Sequence, residues 1–150
     1  MKIIIQRVNK ASVSVNKKIV GKIDVGLLIF LGIGYEDNME DIQWLVNKLC
    51  NIRIFSDEND KMNLSILDVK GEILVISQFT LLASTKKGNR PSYIKAAKPE
   101  ISIPLYNQFI SALETVLNKE VQKGVFGADM QVNLTNDGPV TIIIDSKHRV

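Results

Sequence analysis

The sequence predicts an α/β fold, in which a strand-rich layer carries two main helices on one side. Segments of strand length outnumber helical ones, and the two segments with helical spacing each stand between groups of strands. No internal repeat, linker or change of composition divides the 150 residues. We therefore expect a single domain, residues 1–150.

The first third of the chain is predicted to form strands. Apolar and polar residues alternate in one segment, and the segments around it are apolar runs of strand length. These predicted strands are KIIIQRV at 2–8, ASVSVN at 11–16, KIVGKI at 18–23 and GLLIFLGIG at 26–34.

The first helix is predicted to begin at Asp37, because Glu40 three residues later is a variant of the capping box. Cys50 lies at its end and is predicted to be a small core residue, since nothing near it in sequence would lower the pKa of the thiol. The apolar face of this helix is formed by Ile42, Leu45, Val46 and Leu49.

Two further strands and a second helix are predicted in the middle of the chain. NIRIF at 51–55 and GEILVISQFTLLA at 71–83 have strand character, with a polar turn and a loop between them. The helix spans about 101–119, with Pro104 in its first turn or at a kink. Its predicted apolar face consists of Leu105, Phe109, Leu113 and Val116.

Composition excludes several classes of protein. The chain is 45% apolar and 23% charged, as in an average globular domain, which argues against disorder. The apolar run at 26–34 is far shorter than the roughly 20 residues that cross a bilayer. Gln6 and Arg7 interrupt the first apolar segment before a signal-peptide core could form, and one cysteine allows no internal disulfide. We expect a cytoplasmic protein with no membrane partner.

Residue counts exclude the commoner catalytic sites. His148, the only histidine, lies on a tail that is expected to fray, which disfavours a histidine-based triad. One histidine and one cysteine also disfavour zinc, so no metal or cofactor is predicted. Gly32 and Gly34 suggest a dinucleotide loop, but Asp37 replaces its third glycine. An enzyme with this sequence must rely on positioning and on backbone hydrogen bonds.

A run of basic residues follows the strand predicted at 71–83. From Ser84 to Lys98 the chain contains no acid, and Tyr93 lies among the basic residues. The formal charge of the whole chain is +3, which permits an anionic partner without requiring one. Two interpretations remain open: an exposed loop that happens to be basic, or an edge that contacts phosphates. The basic residues are Lys86, Lys87, Arg90, Lys95 and Lys98.

Two short motifs are unusual for the strands in which they stand. SQFTL at 77–81 places polar residues at the end of a buried strand, which fits either a functional site or a strand emerging into solvent. NDGP at 136–139 predicts a tight turn between the strands MQVNL and VTIIID. Pro139 is unexpected there, because it has no N–H to donate to the following strand. Alone, each motif has an ordinary structural explanation.

Together, SQFTL and NDGPVT resemble motifs of the D-aminoacyl-tRNA deacylase family. The resemblance implies a layered β/β/α deacylase-type fold and a homodimer. It implies hydrolysis of the ester that joins a D-amino acid, or mischarged glycine, to the terminal ribose of tRNA. The implied partners are aminoacyl-tRNA and a second copy of the chain, without DNA. Shorter matches are IQRV within 4–8, ASV at 11–13, RIFSD at 53–57, KMNLS at 61–65, RPS at 90–92 and FGADMQV at 126–132.

The resemblance also implies the residues of a catalytic site. Backbone N–H groups near Phe79 and Thr80 would stabilise the oxyanion together with the Ser77 and Gln78 side chains. Ser77 has a second possible role, holding the terminal adenosine. The Thr80 hydroxyl lacks a base, so we expect attack by water with help from the ribose 2′-hydroxyl.

The substrate-binding residues follow from the same resemblance. Gly138 and Pro139 of the partner subunit would face the site through a cis peptide, with both carbonyl groups pointing one way. Arg7 would brace the partner's turn or be an exposed strand arginine. Phe126 and Met130 would line an adenosine pocket or belong to the core. Three basic side chains would contact acceptor-stem phosphates, namely Lys86, Lys87 and Arg90.

Overall fold

Eight strands and two α-helices form within residues 1–149, the part of the chain that this computed structural model describes. Val150, the last residue of the predicted domain, lies outside the described residues. The elements are β1 (Lys2–Val15), β2 (Lys18–Ile23), β3 (Gly26–Gly32), α1 (Met39–Asn51), β4 (Phe55–Ser56), β5 (Met62–Leu64), β6 (Glu72–Ser77), a 3-10 turn (Phe79–Leu82), α2 (Pro99–Leu117), β7 (Gln122–Lys123) and β8 (Gln131–Asp145).

β1 is the centre of the main sheet because it pairs with three strands. Its first half pairs antiparallel with β3 and β8, and its second half pairs antiparallel with β2 and β8. β6 is parallel to both β3 and β7. The strands therefore pair in the order β2-β1-β3-β6-β7, and β8 pairs with β1 outside this order. The sheet curls towards a barrel, since the Lys22 N–H donates to the Gln122 side chain at 3.4 Å.

The curled sheet and the helices enclose two hydrophobic clusters. The first lies between the sheet and the helices, where Ile5 of β1, Leu45 of α1 and Phe109 of α2 are fully buried. The second fills the inside of the curl and includes Val13 and Leu74. These layers confirm the predicted strand-rich α/β fold with two helices. Among residues 1–149, neither helix combines the length and hydropathy that a membrane span requires.

Both helices begin at other residues than predicted. α1 is capped by Asn38, whose N–H donates to the Asp41 carboxylate at 2.9 Å in a complete capping box. Asp37 instead accepts from the Gly34 N–H at 2.7 Å. α2 begins at Pro99 and contains Pro104, and Val116 is exposed rather than part of the apolar face. Cys50 is fully buried, as predicted, and burial raises the pKa of its thiol to about 11.

The prediction of a strand at 51–55 is mostly wrong. α1 continues to Asn51, and only Phe55–Ser56 pairs, with Met62–Leu64, a segment predicted to be a loop. The strand predicted at 71–83 ends at Ser77 and is followed by the 3-10 turn. Apolar spacing shows that a segment can be buried, but only a neighbouring strand fixes where its pairing ends.

The two strands predicted around NDGP are one strand, so the prediction of a tight turn between paired strands is wrong. Both parts of β8 pair antiparallel with β1, through Ser14 to Val8 on one side of the motif and Gln6 to Lys2 on the other. The register shifts on both sides of Val8, so that the NDGP residues bulge from the ladder. A bulge tolerates Pro139, because the residues within it need no ladder hydrogen bond.

The buried carboxylate of Asp41 holds the end of the chain against α1. It accepts from the Ser146 hydroxyl at 2.6 Å and from the Lys147 ammonium at 2.8 Å. Burial opposes ionisation of Asp41, but these hydrogen bonds and that of the Asn38 N–H outweigh burial and lower the pKa below its ordinary value of 3.8.

We expect Asp41→Asn to reduce the free energy of unfolding by about 1–2 kcal/mol at neutral pH, through loss of charge-assisted hydrogen bonds. Because the pKa is lowered by folding, this contribution is present above pH 3.8 and disappears as the pH falls through the lower pKa of the folded protein. Urea unfolding of both proteins between pH 2 and 7 measures the difference. A difference that stays constant down to pH 2 would contradict this origin.

Candidate active site

The SQFTL motif stands where β6 ends. After Ser77 the chain leaves the sheet, and the N–H of Gln78 donates to the Leu31 carbonyl at 2.8 Å, which fixes this point to β3. β3 and β6 are parallel, so their carboxyl ends lie at one edge of the sheet. Such edges commonly hold ligand sites in α/β proteins.

A cavity of about 490 Å³ opens at this edge, within the size range of small-molecule pockets. Ser77, Gln78 and Phe79 line one part of it, and Phe126 and Met130 line another. The fold therefore brings together five residues that the sequence predicted to form one site. The lining also contains residues that sequence reasoning did not select, including Ile33, Tyr93, Ala97, Ser102 and Val132. Of these, Tyr93 lies in the basic run and Val132 in the FGADMQV match, but neither is among the predicted site residues.

The cavity contains almost no ionisable groups. Among the described residues that line it, Tyr93 is the only one with a titratable side chain. The hydroxyl of Ser102, a buried residue, donates to the Lys98 carbonyl at 3.0 Å and is thereby occupied. Proton transfer by a histidine, carboxylate or amine of the lining is therefore not available. The cavity suits chemistry that depends on positioning and on neutral hydrogen-bond donors.

Two backbone donors are available beside Ser77. Within residues 1–149, the N–H groups of Phe79 and Thr80 have no backbone or side-chain acceptor, whereas that of Leu81 donates to the Gln78 carbonyl at 3.3 Å. The first N–H groups of a helical turn have no partner inside the turn, and here no side chain caps them. They are suitable donors to a developing oxyanion.

Thr80 is placed differently from its neighbours in the motif. It does not line the cavity, and its hydroxyl accepts a hydrogen bond from the Gln78 side-chain amide. An amide is not a base, so this contact does not make the hydroxyl a stronger nucleophile. It does fix the Gln78 side chain next to the cavity.

Phe126 and Met130 are partly buried residues that pack against the hydrophobic clusters, and both also line the cavity. Phe126 packs edge-on against Tyr106 with ring centroids 5.5 Å apart. Tyr106 donates to the Val75 carbonyl at 3.1 Å, and burial raises its pKa to about 12. Met130 lies over Gly124, where a Cβ would be 2.4 Å from the methionine sulfur. These contacts hold one wall of the cavity against the core.

Arg7 braces the NDGP motif of its own chain. It is buried, with 7% of its surface exposed, so the interpretation as an exposed strand arginine is wrong. Its side chain donates to the Asp137 carbonyl at 3.2 Å and to the Ile54 carbonyl at 2.6 Å, and it lies 3.1 Å from the Asp137 carboxylate. The sequence could not show these contacts, because they join segments about 50 and 130 residues away.

Gly138 and Pro139 form an exposed part of the same motif. The peptide bond between them is cis, and the φ angle of Gly138 is +123°, a conformation that side chains strongly disfavour. A Cβ on Gly138 would be 2.9 Å from the Val140 side chain and 3.1 Å from Arg7 Nη2. Neither residue lines the cavity of the same chain.

The basic run forms an exposed loop closed at its base. Ser84 and Ser92 exchange backbone hydrogen bonds of 2.8 and 2.9 Å, so Lys86, Lys87 and Arg90 project from a small closed excursion. Tyr93 at its end packs edge-on against Phe79, with centroids 5.0 Å apart. The loop therefore adjoins the cavity through Phe79.

A second cleft, of about 690 Å³, lies on the other side of this loop. Lys86, Lys95 and Asp37 line it together with His148, which is 3.1 Å from the Asp145 carboxylate. His148 is absent from the lining of the first cavity. No group of three or more metal-ligating side chains is found within residues 1–149.

The chain matches a known protein family over most of its length. The family model described as D-Tyr-tRNA(Tyr) deacylase matches residues 4–145. The chain belongs to this family. The resemblance found in the sequence is thereby confirmed over nearly its whole length.

Relatives of high identity agree with this membership, and two solved structures share the fold. The D-aminoacyl-tRNA deacylases of Flavobacterium psychrophilum and Cytophaga hutchinsonii are 66% and 60% identical and cover 99% and 97% of this chain and of their own. A c-Myc DNA unwinding element binding protein has a TM-score of 0.92 and 39% identity over 97% of this chain and 98% of that one. A probable eukaryotic D-amino acid tRNA deacylase has a TM-score of 0.82 and covers 95% of this chain and 97% of that one, and at 16% identity it shows the fold alone.

We expect Arg7→Met to reduce the free energy of unfolding by about 2–4 kcal/mol, because it leaves buried acceptors without their donor. Backbone hydrogen exchange at 136–140 should rise as the motif loses its brace. Asp137→Asn is the matched control: it removes the half-exposed carboxylate but keeps the backbone carbonyl, and it should cost under about 1 kcal/mol. Equal losses in the two variants would contradict a brace through the backbone carbonyls.

Proposed function

We propose that this chain, as a single domain of residues 1–150 in the cytoplasm, hydrolyses the ester bond of D-aminoacyl-tRNA, and of glycine mischarged on tRNA, to free amino acid and tRNA. Family membership supports the reaction class. The structural observation that carries the proposal is the cavity that joins Ser77 and Phe79 to Phe126 and Met130 with almost no ionisable group. Such a cavity fits an uncharged adenosine and an ester that is already reactive.

In the proposed mechanism the terminal adenosine lies against Phe126 and Met130. The ester carbonyl points towards the N–H groups of Phe79 and Thr80, which stabilise its oxygen as it becomes negative. Water attacks the carbonyl carbon, and the bond to the ribose 3′-oxygen breaks. The proton lost by the water reaches the leaving 3′-oxygen through the neighbouring 2′-hydroxyl. No protein acid or base is required.

A second copy of the chain would complete the site. Gly138 and Pro139 are exposed and are absent from the cavity of their own chain, so a homodimer would allow them to face the cavity of a partner. Their carbonyl groups would accept hydrogen bonds from the substrate's α-ammonium group. An L side chain would then be forced into the turn, whereas a D side chain would point away. Glycine, which has no side chain, would also be accepted.

The basic loop of Lys86, Lys87 and Arg90 would contact acceptor-stem phosphates. All three residues are exposed, and none forms an ion pair within residues 1–149. Contacts of this type give an affinity that falls with salt and that discriminates little between sequences.

The test is the rate of ester loss from D-tyrosyl-tRNA and from L-tyrosyl-tRNA. We expect rapid loss of the D ester only. Binding of tRNA without turnover would favour a non-catalytic RNA-binding module, and neither binding nor turnover would favour a β-rich structural protein.

Gly138→Ala should reduce the preference for D over L esters by at least about tenfold. An alanine at a φ of +123° has its Cβ within 2.9 Å of the Val140 side chain, so it must displace the NDGP bulge that is proposed to exclude L residues. The ratio of kcat/KM for the two tyrosyl-tRNAs measures the effect. Unchanged selectivity in a folded Gly138→Ala variant would contradict the role of this turn.

Thr80→Ala should retain kcat within about tenfold, because the hydroxyl is outside the cavity and has no base beside it. Replacement of the ribose 2′-hydroxyl by hydrogen in the substrate should instead slow wild-type turnover by about 100-fold or more. Single-turnover assays of Thr80→Ala with the normal substrate, and of the wild type with the deoxy substrate, measure these rates. Complete loss of activity in a folded Thr80→Ala variant, with the deoxy substrate still cleaved, would indicate covalent catalysis by threonine.

A further inference from the structure

The first 23 residues form a second concentration of positive charge. They contain six basic residues and no acid. Arg7 and Lys2 are paired with Asp137 and Asp145. The other four are exposed side chains of the β1–β2 hairpin, and none has an ion pair within residues 1–149. They are Lys10, Lys17, Lys18 and Lys22.

The tip of this hairpin has a lysine where the backbone favours glycine. Asn16 and Lys17 both have positive φ angles, +49° and +63°, as the two central residues of a type I′ turn do. Asparagine followed by glycine is the preferred pair in such turns. The turn therefore gains nothing from the Lys17 side chain, and an outlier of this kind suggests a role outside the local fold.

β2 begins near the edge of the sheet where the cavity opens and runs away from it. Lys22 contacts Gln122 at 3.4 Å, and Gly21 packs on the Lys123 carbonyl. Since Lys123 pairs with Val75, Gly21 lies beside the middle of β6. Gly21 lies beside Lys123 and Lys22 beside Gln122, so β2 runs opposite to β7 and therefore to β6, which is parallel to β7. Lys18, three residues before Gly21, thus lies near the level of Ser77, two residues after Val75.

The pairing of β1 with β8 gives the same location independently. Val132 and Met130 line the cavity, and Gln131 between them pairs with Ser14. Ser14 also pairs with Ile19, so the tip at 15–18 follows directly from the cavity rim. Another part of the rim is formed by Tyr93 and Ala96–Ala97, which belong to the basic run.

We propose that Lys17 and Lys18 bind backbone phosphates of the tRNA acceptor arm while the aminoacyl-adenosine occupies the cavity, an inference that rests on the proposed function. An RNA whose 3′ end lies in the cavity must leave across the rim. The hairpin tip and the basic loop then provide lysines at two places along that rim. Two exposed acids are next to lining residues, Asp129 and Glu100, and the lysines outnumber them. Contacts of this kind position the duplex and carry no sequence information.

The experiment compares two substrates with and without phosphates. For Lys17→Gly, and for Lys17→Gly combined with Lys18→Gln, kcat/KM is measured on D-tyrosyl-tRNA and on D-tyrosyl-adenosine at several salt concentrations. We expect a decrease of about threefold to tenfold per lysine on the tRNA, and a salt slope smaller by about one per lysine. The adenosine ester, which has no phosphate, should react at the wild-type rate.

Lys70→Gly is the matched control. Lys70 is also an exposed lysine with positive φ, +52°, but it precedes Glu72 at the opposite end of β6 from Ser77. The five steps from Glu72 to Ser77 separate it from the cavity by about 17 Å. This variant loses the same charge from the same backbone conformation, and it should keep full activity. The thermal midpoints of Lys17→Gly and Lys70→Gly should both stay within about 3 °C of wild type.

Several results would overturn the inference. They are an unchanged rate and salt slope of Lys17→Gly on tRNA, equal losses on both substrates, or equal losses in Lys17→Gly and Lys70→Gly. A change in molecular mass measured by light scattering would assign the tip to contact between copies instead. If the wild type cleaves neither substrate, the proposed function fails, and tRNA binding decides: selective loss of binding in Lys17→Gly supports the hairpin contact, and equal binding refutes it.

Discussion

The pairing of β1 with three other strands is the constraint on which the rest of this structure depends. A strand of 14 residues cannot stay in one flat layer while its first half supports the helices and its second half closes the curl. Its pairing with β8 shifts register on both sides of Val8, where the two halves meet. That interruption releases the NDGP residues from the ladder, and Arg7, next to Val8, holds them through the Asp137 carbonyl. The exposed NDGP bulge is thus a consequence of how the sheet curls.

The same curl places the cavity at the carboxyl ends of β3 and β6. Met130 and Val132 come from the β8 side, and Ser77 and Phe79 come from the end of β6. Because these walls are apolar or neutral, the site cannot stabilise an ion within the substrate by opposite charge. For the function that we propose, selectivity must depend on shape and on hydrogen bonds with fixed directions, and backbone donors are held more rigidly than long side chains. The basic loop and the tip of the β1–β2 hairpin, where we propose that nucleic acid binds, lie outside these neutral walls.

Five of the residues that line the cavity could be predicted from the sequence because they belong to local motifs. SQFTL at a strand end and NDGP with its proline within a strand are unusual where they stand, and both signals lie within a few neighbouring residues. Lining residues such as Ser102 and Ala97 gave no signal, since a small residue in a helix or loop has many ordinary reasons to be there. Arg7 was selected, but its contacts with Ile54 and Asp137 depend on the bend of β1, which no periodicity reports. The Asn38 cap of α1 was missed by one residue, because Asp37 and Asn38 are both good caps and the tertiary contact of Asp37 with Gly34 decides between them.

The sequence by itself determined which segments are buried, how many helices form and to which family the chain belongs, because apolar spacing and short motifs are properties of neighbouring residues. Only the tertiary structure decided that β8 is one strand, that Arg7 braces its own chain, and that Gly138 and Pro139 lie outside the cavity of that chain. It also brought the lysines of the β1–β2 hairpin beside a site whose motifs begin at residue 77. Strand pairing joins residues far apart in sequence, and its register depends on the whole sheet, so none of these placements could be found in a local pattern.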